Sequence, residues 1–528
     1  MNPLPPQILC AGKVLEKFVA VRVDIRRSVQ WIPEASIVLQ RPKGSKTTWW
    51  KECSALAAKC TPGEELTIKE GSLEVFKGLI VEQSVVFKDK EFRLLVKHPL
   101  QRLVNTLRSQ VFQDQDDGQI ISGLLKEHGV NATTSQMTTK HAQMIQWDCS
   151  DWQFLQSRLA AYPVWLIPTR DKVECRPPAL GGKTHVVKAV SDDPKKEVKV
   201  EDAQWRFSND VQSDGVTLQY WDVDQQKLST AVTGKAKALG GGGLATAIKP
   251  LSAKHGLALK QSVWSVSGEA QALADARQLA QLAAGIQVWL RVREYAGEGE
   301  ITLKYELGDT LELSGFGSGF SGKGVISMLE HTWVRGNWTC VVATGMPLVQ
   351  AQDSASLPRN TRSIIGVVQP YQKDSRGLNR LPIKIPMLGV EKPLFARMGS
   401  PYASKDMGLC LYPEDYDEVI VTFVDDDPRY PLILGALHNP KNKAPFEPSK
   451  DNALKGFQYV SDGKKHSWLF DLKKGSFNLI NDKNSLAMDA AGVVVKGDKK
   501  LELTNEGNSL AMDSAGVVIK GPKIDLKQ

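Results

Sequence analysis

The densest run of chemically capable side chains in this 528-residue sequence is Asp425-Asp426-Asp427, preceded closely by Glu414, Asp415, Asp417 and Glu418. Clustered carboxylates can ligate a hard cation or share acid–base work. Pro428 follows at once and apolar runs flank both sides. The expected role is therefore a turn between strands, with carboxylates capping backbone amides. Three glycine-containing stretches raise the question of a phosphate cradle. Gly240–Gly243 has no strand leading into it and no Gly-Lys-Ser/Thr behind it, so it reads as a mobile loop. "GFGSGFSGKG" at 315–324 offers Lys323 but no following Ser/Thr or helix, and Gly182-Lys183-Thr184 has Pro177 where a P-loop needs its first glycine.

The remaining reactive side chains are scattered. Seven cysteines (Cys10, Cys53, Cys60, Cys149, Cys175, Cys340 and Cys410) form no CxxC pair and read as buried reduced thiols, not as a disulfide framework or a zinc site. Eight histidines show no HExxH and no ligand spacing, so each reads as a surface or satisfied structural residue. No Ser-His-Asp or Cys-His arrangement has a recognisable local signature. No catalytic, cofactor-binding or metal-ligating residue is expected, and no cofactor.

Charge and hydropathy narrow the classes further. A net charge of +8 spread over this length does not concentrate as a nucleic-acid surface does. No run reaches the length of a membrane helix. The start, "MNPLPPQILCAG", lacks a basic n-region and an apolar h-region, so synthesis in the cytoplasm without a signal peptide is expected, with export by another route.

Short alternating runs fill residues 1–100 ("KFVAVRVDI", "LEVFKGLIVEQSVVF", "EFRLLVKH"), as in a β-barrel or sandwich. Helices are expected at "DGQIISGLLKEHGV", with Ile120, Ile121, Leu124 and Leu125 on one stripe closing on Gly129, and at "SDWQFLQSRLAAY", opened by Ser150 or Asp151. A third spans 268–285, and 349–363 reads as a linker. Residues 364–439 supply five strand-like runs, "IIGVVQPYQ", "RLPIKIPML", "MGLCLYP", "DEVIVTFV" and "PLILGALHN", enough for a small closed barrel of the OB type.

The C-terminus repeats itself. "NSLAMDAAGVVVKG" (484–497) returns as "NSLAMDSAGVVIKG" (508–521), and units of 24 residues share about 15 identities. Leu486 and Met488, Val493 and Val495, and Leu501 and Leu503 alternate along their runs, and Leu510, Met512, Val517 and Ile519 repeat the pattern. "IDL" at 524–526 resembles the start of a third unit. Twenty-four is three eights, so each unit reads as three short strands joined by tight corners, a β-solenoid period. So slim a ribbon cannot enclose an interior, whereas three identical chains wound together could supply the missing walls and remove the exposed edges.

The sequence resembles the central spikes of contractile injection machines, the VgrG proteins of type VI secretion and the spikes of extracellular injection systems and contractile phage tails. Residues 92–130 and 145–168 look like that family's strand, "R…FQ" loop and helix. "PEDYDEVIVTFVDDDPRYPLILGALHN" (413–439) looks like its barrel signature, with Asp417, Glu418, Asp427, Pro428 and Gly435 in matching places. Tyr416 and Asp426 stand where glycine is usual, which implies turns of a different type. The resemblance implies a mainly β fold: a hub over 1–355 with two β-barrel subdomains and helical insertions, an OB-like barrel over 364–440, a linker over 441–465, and an intertwined trimeric β-helix needle over 466–528. It implies a homotrimer docked on tail tube, hub and baseplate proteins, tipped by a PAAR-type protein, carrying effectors and contacting the target membrane mechanically. The ending "GPKIDLKQ" lacks a His-x-His tip, which implies a blunt end completed by a separate protein. Two other classes compete. A trimeric β-helical tail-spike depolymerase would need paired acids on an exposed β-helix face, but Asp489 and Asp513 lie beside glycine, as turn residues do. A nucleic-acid-binding OB domain would need a basic and aromatic strand face, which 364–439 does not offer.

Overall fold

The computed structural model describes residues 5–41, 48–170, 172–189, 198–210, 212–246, 257–261, 267–294, 305–334, 336–346 and 362–525. Residues 349–361 of the expected linker and 526 of the incipient third repeat lie outside them. Contacts divide the chain into two units, Met1–Gly435 and Ala436–Gln528.

The first unit is built on one sheet of 14 strands. Its main path runs Val198–Phe207, Ile286–Glu294, Asn337–Thr344, Gly322–Val334, Val19–Ser28, Glu34–Gln40, Glu91–Lys97, Leu73–Val86, Glu65–Glu70 and Gln7–Cys10. Alternation explains the strands: Val23 and Ile25, Ile37 and Leu39, Phe92 and Leu94 are buried while their neighbours turn outward. The pairing of Val19–Ser28 with Gly322–Val334, His331 opposite Ile25, joins sequence ends into one sheet that lines two separate apolar cores. One core gathers Ile25, Leu39, Leu94 and Trp338, the other Leu290, Tyr305, Leu329 and Val342.

Two helices are fixed by their first turns. Asp116 accepts from the Gln119 amide at 2.8 Å and Ser150 from the Gln153 amide at 3.1 Å, each reciprocated by the glutamine side chain. They open Asp117–Glu127, which buries Ile120, Ile121, Leu124 and Leu125, and Asp151–Leu159, which buries Leu155 and Leu159. Gly129, at φ 70°, follows the first of them. The stretch "LRSQVFQDQ", read from sequence as part of a loop, is instead a strand, Leu107–Asp116, paired with Lys140–Ser150.

The glycine run at 240–243 is no mobile loop. Gly240–Gly242 is a strand lying antiparallel to Gly322–Gly324, so the two glycine-rich stretches pack on one another. A Cβ on Gly243 would meet the Ser318 carbonyl oxygen at 1.8 Å, and one on Gly322 the Gly241 carbonyl at 2.3 Å. Side chains are absent here because backbone must approach backbone. Gly243→Ala is expected to cost about 1–3 kcal/mol, read as a lowered thermal midpoint; an unchanged midpoint would show that the contact yields freely.

Residues 364–436 close a five-stranded barrel in the order Ile364–Val368, Leu381–Lys384, Leu394–Met398, Pro431–Ala436, Glu418–Phe423. Four of the five expected runs supply strands. The fifth, "MGLCLYP", supplies no barrel strand: Leu394–Met398 takes its place, with Leu394 and Ala396 buried in the core. Met407–Pro413 stays outside the barrel, where Cys410 is exposed, unlike the six buried cysteines and contrary to the sequence reading.

Both non-glycine turn residues keep the backbone of glycine. Tyr416 has φ 71° and Asp426 φ 58°, so the turns hold left-handed conformations. Tyr416→Gly is expected to stabilise the first unit by about 0.5–1 kcal/mol, the relief of a left-handed β-carbon offset by the entropy of glycine. Denaturant unfolding reads the effect, and a loss of stability would show that the Tyr416 ring makes compensating contacts.

The second unit is a run of hairpins. Strands begin at Ser476, Asn484, Gly492, Lys500, Asn508 and Gly516, one every eight residues and three per repeat. Within each sheet successive strands pair antiparallel, so there the expected solenoid corners are hairpin turns within one chain. Asp482-Lys483 and Glu506-Gly507 are two-residue connections, with Asp482 at φ 57° and Glu506 at φ 43°. Five strands from Leu454 to Lys496 form one sheet and three from Lys500 to Lys520 another.

Candidate functional site

The side chains singled out in the repeat fall on one face of each sheet. Cross-strand register places Leu486 opposite Val495 and Met488 opposite Val493. In the second repeat Leu501 faces Met512, Leu503 faces Leu510, and Leu510 and Met512 face Ile519 and Val517. Directly opposed residues share a sheet face, so within each of the two sheets these residues make a continuous apolar stripe. The stripe extends N-terminally through Trp468 opposite Leu479 and Phe470 opposite Phe477, with the last two rings 4.9 Å apart. The other face alternates Ser485, Ala487 and Asp489 with Gly492, Val494 and Lys496.

Most of the stripe stands in solvent, with Leu486, Leu501 and Leu510 half-buried. Val493 is 64% exposed, Val517 63%, Ile519 52% and Val495 49%. A contiguous apolar surface of this extent on a two-sided ribbon marks an interaction face. The carboxylates beside it are committed to turns: Asp489 accepts from the Ala491 amide and Asp513 from the Ala515 amide, both at 2.8 Å. The aspartates that a depolymerase would need are thus Asx-turn residues of the hairpins.

The barrel signature serves a second construction. Asp417 turns the chain by accepting from the Glu414 amide at 2.9 Å, and Glu418 begins the strand that pairs with Ile364–Val368. Gly435 lies near the end of Pro431–Ala436 with open space around it. Asp425 and Asp426 turn the chain with left-handed backbones, φ 59° and 58°, and the Arg429 amide donates to Asp427 at 2.9 Å, so the acidic run is the expected turn. Pro428 is buried, and the loop carries Arg429 inward.

Arg429 sits between Asp427, with N–O contacts of 2.7–3.1 Å, and Glu269 at 2.7 Å, in the first turn of the helix Ser267–Gly285. Arg158 lies 3.6 Å from Glu269 and donates to Asp117 at 2.7 and 3.0 Å. His141 and Tyr162 complete the Asp117 shell at 2.6 and 2.5 Å. Burial works to raise both carboxyls. Arg158 and the His141 hydrogen bond hold Asp117 well below the usual carboxylate range, and Arg429 with Arg158 holds Glu269 below it.

Around this ionic seam the barrel is locked to the hub by neutral contacts. Gln143 donates to the Arg429 carbonyl at 2.7 Å, Gln113 to the Pro393 carbonyl at 3.2 Å, and Trp147 meets Phe423 edge-on at 5.5 Å. Sequence reading did not find Glu269, Arg158, Asp117 or Arg429. Only Arg429 left a signal, an arginine directly after the proline of the signature.

Among the described residues no group of three or more His, Cys, Asp or Glu is placed to hold a metal ion, and no helix is long and apolar enough to cross a membrane. The three histidines nearest carboxylates, His128, His141 and His185, pair with Asp151, Asp117 and Asp309.

Comparison with known proteins places this architecture. The family described as the Alg8 N-terminal domain matches residues 3–334, and the type VI secretion system/phage-baseplate injector OB domain matches 364–438. No curated protein matches the chain. Among solved structures, an Escherichia coli component of the type VI secretion system, itself similar to bacteriophage T4 tail proteins gp27 and gp5, shares 12% identity at a TM-score of 0.51, covering 82% of this chain and all of its own. A half-lidded Francisella PdpA–VgrG complex aligns at 10% identity and a TM-score of 0.53, covering 93% of this chain and 87% of its own. The chain belongs to the Alg8 N-terminal domain family, whose profile spans more than half of it, and its fold is that of the VgrG-type spikes.

Proposed function

We propose that the protein is the homotrimeric spike of a contractile injection apparatus, seated on tube and baseplate proteins and driven through a target envelope with a tip protein and effectors. The carrying observation is the apolar stripe Leu486, Met488, Val493, Val495, Leu501, Leu503, Leu510, Met512, Val517 and Ile519. It is ordered by cross-strand pairing yet left in solvent by its own chain. Three copies turning these stripes inward make a closed prism without exposed edges, and each copy supplies the wall that the others lack. The role is mechanical: stiffness comes from paired backbone, and the repeat's carboxylates act as turn caps. The E. coli component and the Francisella VgrG support the assignment through the shared fold.

The experiment is the mass of the purified protein in native buffer. Three copies of a 58.1 kDa chain are expected, and a single copy overturns the reading.

A further inference from the structure

The barrel leaves one strand-like segment unused. Ala403-Ser404 and Met407-Gly408 form a small hairpin, and Leu409 closes it by donating to the Tyr402 carbonyl at 2.9 Å. From Leu409 to Tyr412 the chain is irregular and exposed, outside the closed barrel. Its side chains are apolar nonetheless: Tyr402 is 56% exposed, Met407 61%, Leu409 49% and Leu411 48%. This arm exposes to solvent the kind of residues its own barrel buries.

We propose that the arm is a second contact between copies of this chain, laid against the barrel of a neighbouring subunit; it rests on the trimeric reading above. The occupant follows from chain length. Residues 437–453 separate the barrel from the first tail strand, a tether of at most about 60 Å fully extended. Chains joined through their tails therefore hold their barrels at an effective concentration on the order of millimolar. The neighbouring barrels are thereby kept near the arm, and apolar side chains at that concentration associate by removing their area from water. The arm adds to the tail contact and braces the barrels against one another.

Cys410 reports on it directly, because it lies within the arm and the other six cysteines are buried. The full-length protein is to be labelled with a fluorescent maleimide under native conditions and its native mass measured in parallel. In a second preparation Met407 is replaced by photoreactive p-benzoylphenylalanine and irradiated. The expected result is three copies, Cys410 labelling at least about tenfold slower than in the Leu409→Ser/Leu411→Ser variant, and a crosslinked product of twice the chain mass. The Ser variant should still assemble as three copies, because the tail remains intact. Three copies with rapid Cys410 labelling, or with crosslinks only within one chain, overturn the arm and leave the spike standing. A single-copy mass overturns both.

Discussion

Val495→Asp combined with Ile519→Asp is expected to turn a three-copy particle into separate chains whose tails are cut by protease while Met1–Gly435 survives intact. Val495 lies opposite Leu486 and Ile519 opposite Leu510, so each carboxylate lands mid-stripe, one in each repeat. In a single chain these positions are about half exposed, and a charge there meets water at little cost. In the proposed trimer three carboxylates would converge on one apolar layer, each losing its hydration at an effective cost of several kcal/mol and repelling the other two. Two such layers exceed what a narrow interface can supply. The first unit has its own cores around Ile25, Leu290 and the barrel's Val421, so its thermal transition should stay within a degree or two of the parent. Val494→Asp is the control, because Val494 is on the other face opposite Ala487 and should leave the mass at three copies. Retention of three copies with a protease-resistant tail in the double variant would invalidate the assignment of faces.

What the sequence revealed and what it hid follow from how local each signal is. The stripe was legible because a two-residue period and a 24-residue repeat are carried entirely by neighbouring residues. That the strands fold back as hairpins was not legible, since a solenoid and a meander bury the same alternation and differ only in partner. The barrel shows the same limit. "MGLCLYP" alternates as well as "LFARM" does, and only closure of the sheet, with Leu394 and Ala396 inside, decides which one is a strand. Gly240–Gly243 read as a loop because its partner, Gly322–Gly324, is some 80 residues away. Tyr416 and Asp426 misled for another reason: residue type suggested a changed turn, but surrounding pairing imposes the left-handed backbone on whatever residue stands there. The ionic seam is the extreme case. Asp117, Arg158, Glu269 and Arg429 come from four distant segments, and each alone looks like a surface charge.

That seam sets the second large effect. Arg429→Met is expected to destabilise the first unit by about 3–5 kcal/mol at pH 7, because it leaves Glu269 buried without its nearest cation while Asp427 keeps only backbone partners. Arg158, 3.6 Å from Glu269, is already engaged by Asp117 and cannot replace Arg429. In the parent, Asp117 and Glu269 are held below the usual carboxylate range, so their contribution is fully present above an unfolded value near 4 and is lost as pH falls through the lower folded values. In Arg429→Met the sign reverses for Glu269: burial now dominates, its carboxyl rises, and protonation relieves the penalty. The stability gap between variant and parent should therefore be widest at neutral pH and narrow below about pH 4. Arg429→Met with Glu269→Gln removes both buried charges and should recover most of the loss, as paired removal of a buried ion pair does. Denaturant unfolding of all three proteins at both pH values reads the recovery. A single-variant loss under about 1 kcal/mol, or a double variant no better than the single, would mean that the barrel is held to the hub by Trp147, Phe423 and the glutamine bonds, with the buried charges contributing nothing.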